Sequence, residues 1–271
     1  MISPKQRKIL AFPYSKYDAL ICDGSIRSGK TSFMTVAYVD WAMDNFDGMR
    51  FIIGGKTVES AVRNVVEPFM MMTRTKKKFA VKWNTAKHRM TVSLGGKTNY
   101  FDVFGGKDKA SFMLVQGFTA AGCFIDEVAL CERSFVEQAI ARCSVDGSRL
   151  WFNCNPGPPK HWFRVEWILQ LQRHNALHLH FTMDDNPSLS PHIRERYERM
   201  YSGVFKLRYI DGLWVVAEGL VYPMWSDSYV QELEPKLDKS GKDKRQYIIA
   251  IDYGIKNPFA AIMLTVSEGK L

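Results

Sequence analysis

The stretch Gly24-Ser25-Ile26-Arg27-Ser28-Gly29-Lys30-Thr31 fills every fixed position of the pattern G-x-x-x-x-G-K-[ST], and it constrains this chain more than any other part. The apolar run Ala19-Leu20-Ile21-Cys22 precedes it, and from Ser32 to Met43 apolar residues recur at helical spacing, so the pattern stands between a strand and a helix. Glycines let the backbone curl until its N–H groups and the positive end of the new helix face phosphates. Lys30 is placed to reach β- and γ-oxygens, and Thr31 to offer its hydroxyl to Mg²⁺. The expected ligands are therefore ATP and Mg²⁺, with Gly24, Ser25, Arg27, Ser28, Gly29, Lys30 and Thr31 as the residues that hold them. Three other Gly-Lys pairs, at Gly55, Gly96 and Gly106, lack the first glycine of the pattern and read as turns.

Composition sets the outer limits. With 271 residues and 46% hydrophobic content, the chain can bury a sizeable core. The net charge of +9 suits an anionic partner larger than a nucleotide. Five cysteines without a C-x-x-C pair argue against a disulfide framework or a structural zinc site, and point to a reducing compartment. The first residues lack the apolar core of a signal peptide, and the longest uncharged stretch, 110–125, falls short of a bilayer span, so a cytoplasmic chain without a membrane partner is expected.

Along the chain, Ile9, Leu10, Phe12, Tyr14 and Tyr17 lead into the loop, either as walls for an adenine or as packing on the sheet. Gln6 stands where several nucleic-acid motors place a glutamine against adenine; a solvated side chain is the alternative. Phe51 to Gly55 reads as a buried strand closed by a turn, and Ser60 to Met72 as an amphipathic helix. Between Arg63 and Arg89 basic residues outnumber acids heavily, and Lys76, Lys77, Lys78 and Lys82 are candidates for tracking a phosphate backbone, against the alternative of a lysine-blunted sheet edge. Met90–Leu94 and Asn99–Phe104 form an expected hairpin.

The apolar strand before Asp126-Glu127 ends in two acids, as in an ATPase where the first supports Mg²⁺ and the second activates water. Arg149 to Cys154 is another buried strand, and Asn153 or Asn155 at its end is placed to sense a γ-phosphate. His178 and His180 share one face of a strand without a third metal ligand. Ser190-Pro191 starts a helix running to Met200 and closed by Gly203. A charged run at 232–246 reads as a linker, and Tyr247–Gly254 with Phe259–Val266 as a fresh pair of strands.

These parts, in this order, resemble the large terminase subunit of tailed bacteriophages and prophages. The likeness rests on the loop with its internal Arg27, Phe124-Ile125-Asp126-Glu127, Asn153-Cys154-Asn155-Pro156-Gly157 ahead of His161-Trp162, and Asp184-Asp185-Asn186-Pro187. It extends through Gly212-Leu213-Trp214, Glu218-Gly219, Ile251-Asp252-Tyr253-Gly254 and Asn257-Pro258.

The resemblance implies an α/β P-loop NTPase of the additional-strand type with a mostly parallel sheet over residues 1–183. It implies a lid at 184–231, a linker at 232–246 and the first strands of a ribonuclease-H-like nuclease domain at 247–271. It further implies Glu127 and Arg27 as catalytic groups, Thr31 and Asp126 as Mg²⁺ ligands, Asn153 or Asn155 as the residue coupling hydrolysis to DNA, and Asp252 as a nuclease metal ligand. The implied activity is an ATP-driven motor packaging double-stranded viral DNA in the host cytoplasm, as a ring of copies working with a portal protein and a small terminase subunit.

Two departures qualify it. Gln116-Gly117-Phe118 stands where many relatives carry an arginine acting on a neighbouring subunit, leaving Arg27, Arg133 or Arg142 for that part. Only Asp252 is available to a two-metal nuclease, so no DNA cleavage is expected. The other readings are an inactive remnant that binds nucleotide and DNA, and a phosphotransferase acting on a small acceptor.

Overall fold

A computed structural model of the chain describes residues 2–216, 240, 246–252 and 260–266, and the chain divides into two units, Met1–Leu220 and Val221–Leu271.

The first unit is built on eight strands: β1 (Ala19–Gly24), β2 (Arg50–Gly55), β3 (Ala80–Asn84), β4 (Arg89–Leu94), β5 (Lys97–Gly105), β6 (Gly122–Ile125), β7 (Arg149–Cys154) and β8 (Ala176–Phe181). They lie in the order β3-β4-β5-β2-β6-β7-β1-β8. The six strands from β5 to β8 are parallel, and β3 and β4 close the far edge antiparallel. Parallel strands covered on both faces need side chains apolar on both sides. In β1, Leu20 and Cys22 accordingly enter one core while Ala19 and Ile21 enter the other. The expected hairpin is β4–β5, turning at Gly95 and Gly96, both with positive φ. Gly54 does not close a turn but lies within β2, where an added Cβ would stand 2.5 Å from Cδ1 of Ile125.

The helices are α1 (Pro4–Ala11), α2 (Lys30–Asn45), α3 (Val58–Ala61), α4 (Glu67–Met71), α5 (Thr73–Lys78), α6 (Arg133–Arg142), α7 (Trp162–Glu166), α8 (Pro191–Met200) and α9 (Gly203–Tyr209). Helix α2 packs Met34, Tyr38 and Trp41 on one sheet face, with the Tyr38 ring against Phe51, Phe101, Phe124 and Trp151. Phe12 stands edge-on to Trp151 at 4.6 Å, so it and Ile9 pack in the core.

The helix expected over Ser60–Met72 is interrupted by a π turn, Val62–Val66, in which the Glu67 N–H bonds the Val62 carbonyl five residues back. Pro68 has no N–H to give the Asn64 carbonyl, which is the bond a regular helix requires there. Helix α8 starts as read, with Ser190 capping and Pro191 at its first turn. It ends at an extended Tyr201, whereas Gly203, read as its closure, opens α9.

In the second unit, β9 (Gln246–Asp252) and β10 (Ala260–Val266) pair antiparallel, from Ala260 opposite Asp252 to Val266 opposite Gln246. Glu218-Gly219, Tyr253-Gly254, Asn257-Pro258 and most of the 232–246 run lie outside the described residues.

Candidate functional site

Where β1, β6 and β7 end beside the start of α2, a cavity of about 460 Å³ opens, lined by residues 26–32, Arg63, Asn64, Pro68, Asp126, Glu127, residues 153–155 and Asn186. This is the carboxyl edge of a parallel sheet, where such folds bind ligands.

The loop itself demands its glycines. Gly24 has φ +123°, and a Cβ there would stand 1.9 Å from the Phe181 carbonyl oxygen, so no other residue fits without moving β8. Gly29, at φ +84°, opens α2 from the left-handed region. Arg27 is also left-handed, at φ +56°. Its carbonyl accepts from Asn186 Nδ2 at 2.7 Å, and its Nε donates to the Tyr197 hydroxyl at 3.0 Å. Lys30 is buried and turned back into the loop: Nζ donates to the carbonyls of Ser25 (2.6 Å) and Gly24 (3.2 Å), to Ser28 Oγ (3.2 Å) and to Asn155 Oδ1 (3.3 Å). Burial pulls the Lys30 ammonium below its usual pKa.

One amide organises the acids. Asn153, buried at the end of β7, donates through Nδ2 to Asp126 Oδ1 (2.8 Å) and to Thr31 Oγ1 (3.0 Å), and its Oδ1 accepts the Glu127 N–H at 2.8 Å. Thr31 Oγ1 donates in turn to Asp126 Oδ1 at 3.1 Å, while Asn64 Nδ2 holds Asp126 Oδ2 at 3.1 Å. The bond from its N–H to Asn153 Oδ1 stabilises Glu127 in a left-handed conformation (φ 53°, ψ 48°) that a non-glycine residue adopts only under constraint. Burial raises the pKa of Asp126 against the opposing hydrogen bonds from Asn153, Asn64 and Thr31. Burial, and then the charge of Asp126, raises that of Glu127.

The expected site residues thus separate. Gly24, Ser25, Arg27, Ser28, Gly29, Lys30, Thr31, Asp126, Glu127, Asn153 and Asn155 converge around the loop, and the two asparagines differ: Asn153 joins the acids, Asn155 touches Lys30. Gln6 is buried rather than solvated. Its Oε1 accepts from the Ser3 N–H at 2.9 Å in a capping box, and its Nε2 lies beside Gly29. Arg133 is paired with Glu137 and Glu166, and Arg142 has a buried Nε without a partner. Lys76 and Lys77 are exposed on α5 and Lys82 on the edge strand β3, whereas Lys78 is held by Asp40 at 3.0 Å. Asp252 ends β9, and its side chain lies outside the described set.

Asn64 was not singled out from sequence, and Arg63 and Asn186 entered only as part of the basic stretch and of the Asp184–Pro187 motif, with no place at the site. The available signal was Pro68 four residues after Asn64, which forces the π turn that carries Arg63 and Asn64 to the cavity wall. The two histidines read as sharing a face do so, and both converge on Asp23. No group of three or more His, Cys, Asp and Glu suited to a metal ion occurs among the described residues, and no helix among them is long and apolar enough to cross a membrane.

Comparison with known proteins follows the same lines. The family model for the N-terminal part of the T4likevirus-type large terminase subunit matches residues 21–225. The large terminase of a thermophilic bacteriophage is 48% identical over 99% of this chain, with a TM-score of 0.77, and the same values hold for its structure in complex with ADP. This chain spans 66% of the length of that terminase. The large terminase ATPase domain of Thermus phage P74-26 shares the fold at 18% identity, with a TM-score of 0.58 over 76% of this chain and 92% of that domain. No curated protein matches. The phosphate loop, the mostly parallel eight-stranded sheet and the match across 21–225 lead to one conclusion: the chain belongs to the large terminase subunit family, T4likevirus type.

Proposed function

We propose that this chain is the ATP-hydrolysing motor part of a large terminase, driving double-stranded DNA into a viral capsid. The observation that carries the reading is the single network in which Asn153 ties Thr31, Asp126 and Glu127 together in the cavity that Lys30 also lines. Such an assembly suits a nucleoside triphosphate, and the related terminase of the thermophilic phage has been solved with ADP.

In this reading the loop N–H groups and Lys30 take the phosphates, with Gln6 beside Gly29 toward the base. The Thr31 hydroxyl and the Asp126 carboxylate, 3.1 Å apart, are the hard oxygen donors that Mg²⁺ takes from protein when phosphates supply the rest, and they fit that ion. When bound, Mg²⁺ neutralises charge on the transferring phosphoryl group. Asn64 and Asn153 hold the two Asp126 oxygens in place for it. Glu127, which lines the same cavity, accepts a proton from the attacking water. Arg27 lines the same cavity and is placed to offset γ-phosphate charge.

Asn153 is the better coupling residue, because it alone touches the metal acid, the base and the loop threonine together. Exposed Lys76, Lys77 and Lys82 face the DNA backbone, residues 184–231 act as a lid and 247–271 begin a nuclease domain. The portal protein, the small terminase subunit and further copies of the chain complete the motor in the host cytoplasm.

Steady-state ATP hydrolysis with Mg²⁺, with and without linear double-stranded DNA at low salt, tests the reading. Expected are turnover raised by DNA and a loss of about 10²-fold or more in Glu127→Gln and Lys30→Ala. Hydrolysis indifferent to DNA, or undiminished in both variants, refutes it.

A further inference from the structure

Beneath the phosphate loop lies a buried charged group that the proposed chemistry does not use. Asp23, the last residue before Gly24, is 1% exposed. Its Oδ1 accepts from His178 Nε2 at 2.8 Å and from His180 Nδ1 at 2.9 Å, and its Oδ2 from Trp214 Nε1 at 2.7 Å. Burial alone would raise the Asp23 pKa, but the bonds from His178, His180 and Trp214 overcome it and hold the carboxyl well below the usual range. A buried carboxylate with three donors is satisfied, and one donor removed leaves it short.

Those donors come from two places. The histidines are on β8, the neighbour of β1 and an edge of the sheet. Trp214 follows α9, a segment that meets the phosphate loop at two further points. The Ile26 N–H donates to the Tyr209 carbonyl at 2.9 Å. Gly212, at φ +73°, lies so close that an added Cβ would stand 3.0 Å from Ser25 N and 3.2 Å from Gly24 Cα. The stretch from Tyr209 to Trp214 is thus clamped to the loop from its root at Asp23 to Ile26, and Trp214 is the side chain that fastens it.

We propose that Asp23 and Trp214 are positioning residues for the phosphate loop: their hydrogen bond makes the seating of the segment after α9 and the phosphate-ready shape of the loop one equilibrium. The inference rests on the nucleotide reading of the site. Anything that favours the seated segment then favours nucleotide, and bound nucleotide tightens the segment by the same factor. His178 and His180 keep the carboxylate in place when Trp214 leaves, so the tryptophan is the mobile partner of the node.

The test uses the full chain and ADP as probe, with Asp23→Asn, Trp214→Phe and the double variant, each first checked for cooperative unfolding. Expected in wild type is an ADP-dependent fall in acrylamide quenching of tryptophan emission that is absent in Trp214→Phe. Expected in both single variants is ADP affinity weakened by about tenfold, a usual size for coupling between sites. The double variant should be no weaker than the worse single one, because both changes break the same bond. Trp214→Phe keeps an aromatic ring against the core beside His161 while removing the indole N–H donor, so it decides the matter even where Asp23→Asn does not fold. Folded variants with ADP affinity within about twofold of wild type overturn the inference, whatever their loss of melting temperature. So does an ADP-induced signal that survives in Trp214→Phe. Failure of wild type itself to bind ADP defeats the nucleotide reading and this inference with it, a result separate from normal binding that the variants leave unchanged.

Discussion

Asn153→Ala separates the two asparagines that the sequence left equivalent. The side chain makes one bond to the Asp126 carboxylate at 2.8 Å, one to Thr31 at 3.0 Å, and takes one from the Glu127 N–H at 2.8 Å. A bond to a charged group contributes about 1.5–3 kcal/mol and a neutral one about 0.5–1.5 kcal/mol, so the three sum to about 2.5–6 kcal/mol. For a unit of this size about 1 kcal/mol corresponds to about 2–4 °C, which places the melting temperature roughly 10 °C below wild type. Asn155→Ala removes only a 3.3 Å contact to Lys30, whose Nζ keeps Ser25, Gly24 and Ser28, and should cost about 1 kcal/mol or less. The difference should extend to catalysis, because without Asn153 the left-handed turn at Glu127 loses its tether and the carboxylate its aim. Scanning fluorimetry and ATP turnover on the two variants side by side check this. Equal losses, or a larger loss in Asn155→Ala, would refute the assignment of the network to Asn153.

Other outcomes follow from the same geometry. Gly24→Ala should abolish nucleotide binding and lower stability sharply, since the new methyl meets the Phe181 backbone rather than a movable side chain; a melting curve and ADP titration like those of wild type would contradict the loop geometry. Glu127 is raised above an ordinary glutamate by burial and then by Asp126, so turnover that needs its ionised form should decline on the acid side from a higher pH than about 4.3, seen as a shifted acid limb in the rate profile. Asp23 is depressed, so its contribution is complete above the ordinary aspartate value of about 3.9 and drains away as pH falls below it. The urea midpoint of wild type should exceed that of Asp23→Asn by its full margin at pH 7, and the gap should start to narrow only once pH falls below about 3.9; a gap of constant size down the acid range would show that the charge of Asp23 is not what stabilises the node.

Much of the site was legible because its chemistry is local. Gly24 to Thr31 must be contiguous for a backbone curl to feed a helix, so pattern and spacing alone located the loop, and the apolar strand before Asp126-Glu127 located the acids. Alternation and glycine placement were enough for the β4–β5 hairpin, as was the Ser190-Pro191 pair for the start of α8. Gly203 misled as a stop, because a glycine with positive φ serves the opening of α9 as well as it would a helix end.

What sequence by itself determined, then, was the class of fold, the phosphate loop and the identity of the acids, all of which depend on neighbours within a few residues. The tertiary structure decided which distant groups complete them. Asn64 reaches Asp126 through a π turn, Asn153 rather than Asn155 bridges both acids, and His178, His180 and Trp214 close on Asp23 across more than 150 positions of chain. Those partners are brought together by strand order, β7-β1-β8, and by the packing of the segment after α9 on the loop. Neither leaves a periodicity in the sequence, because a single polar residue at a strand end reads the same whether it faces solvent or a buried carboxylate.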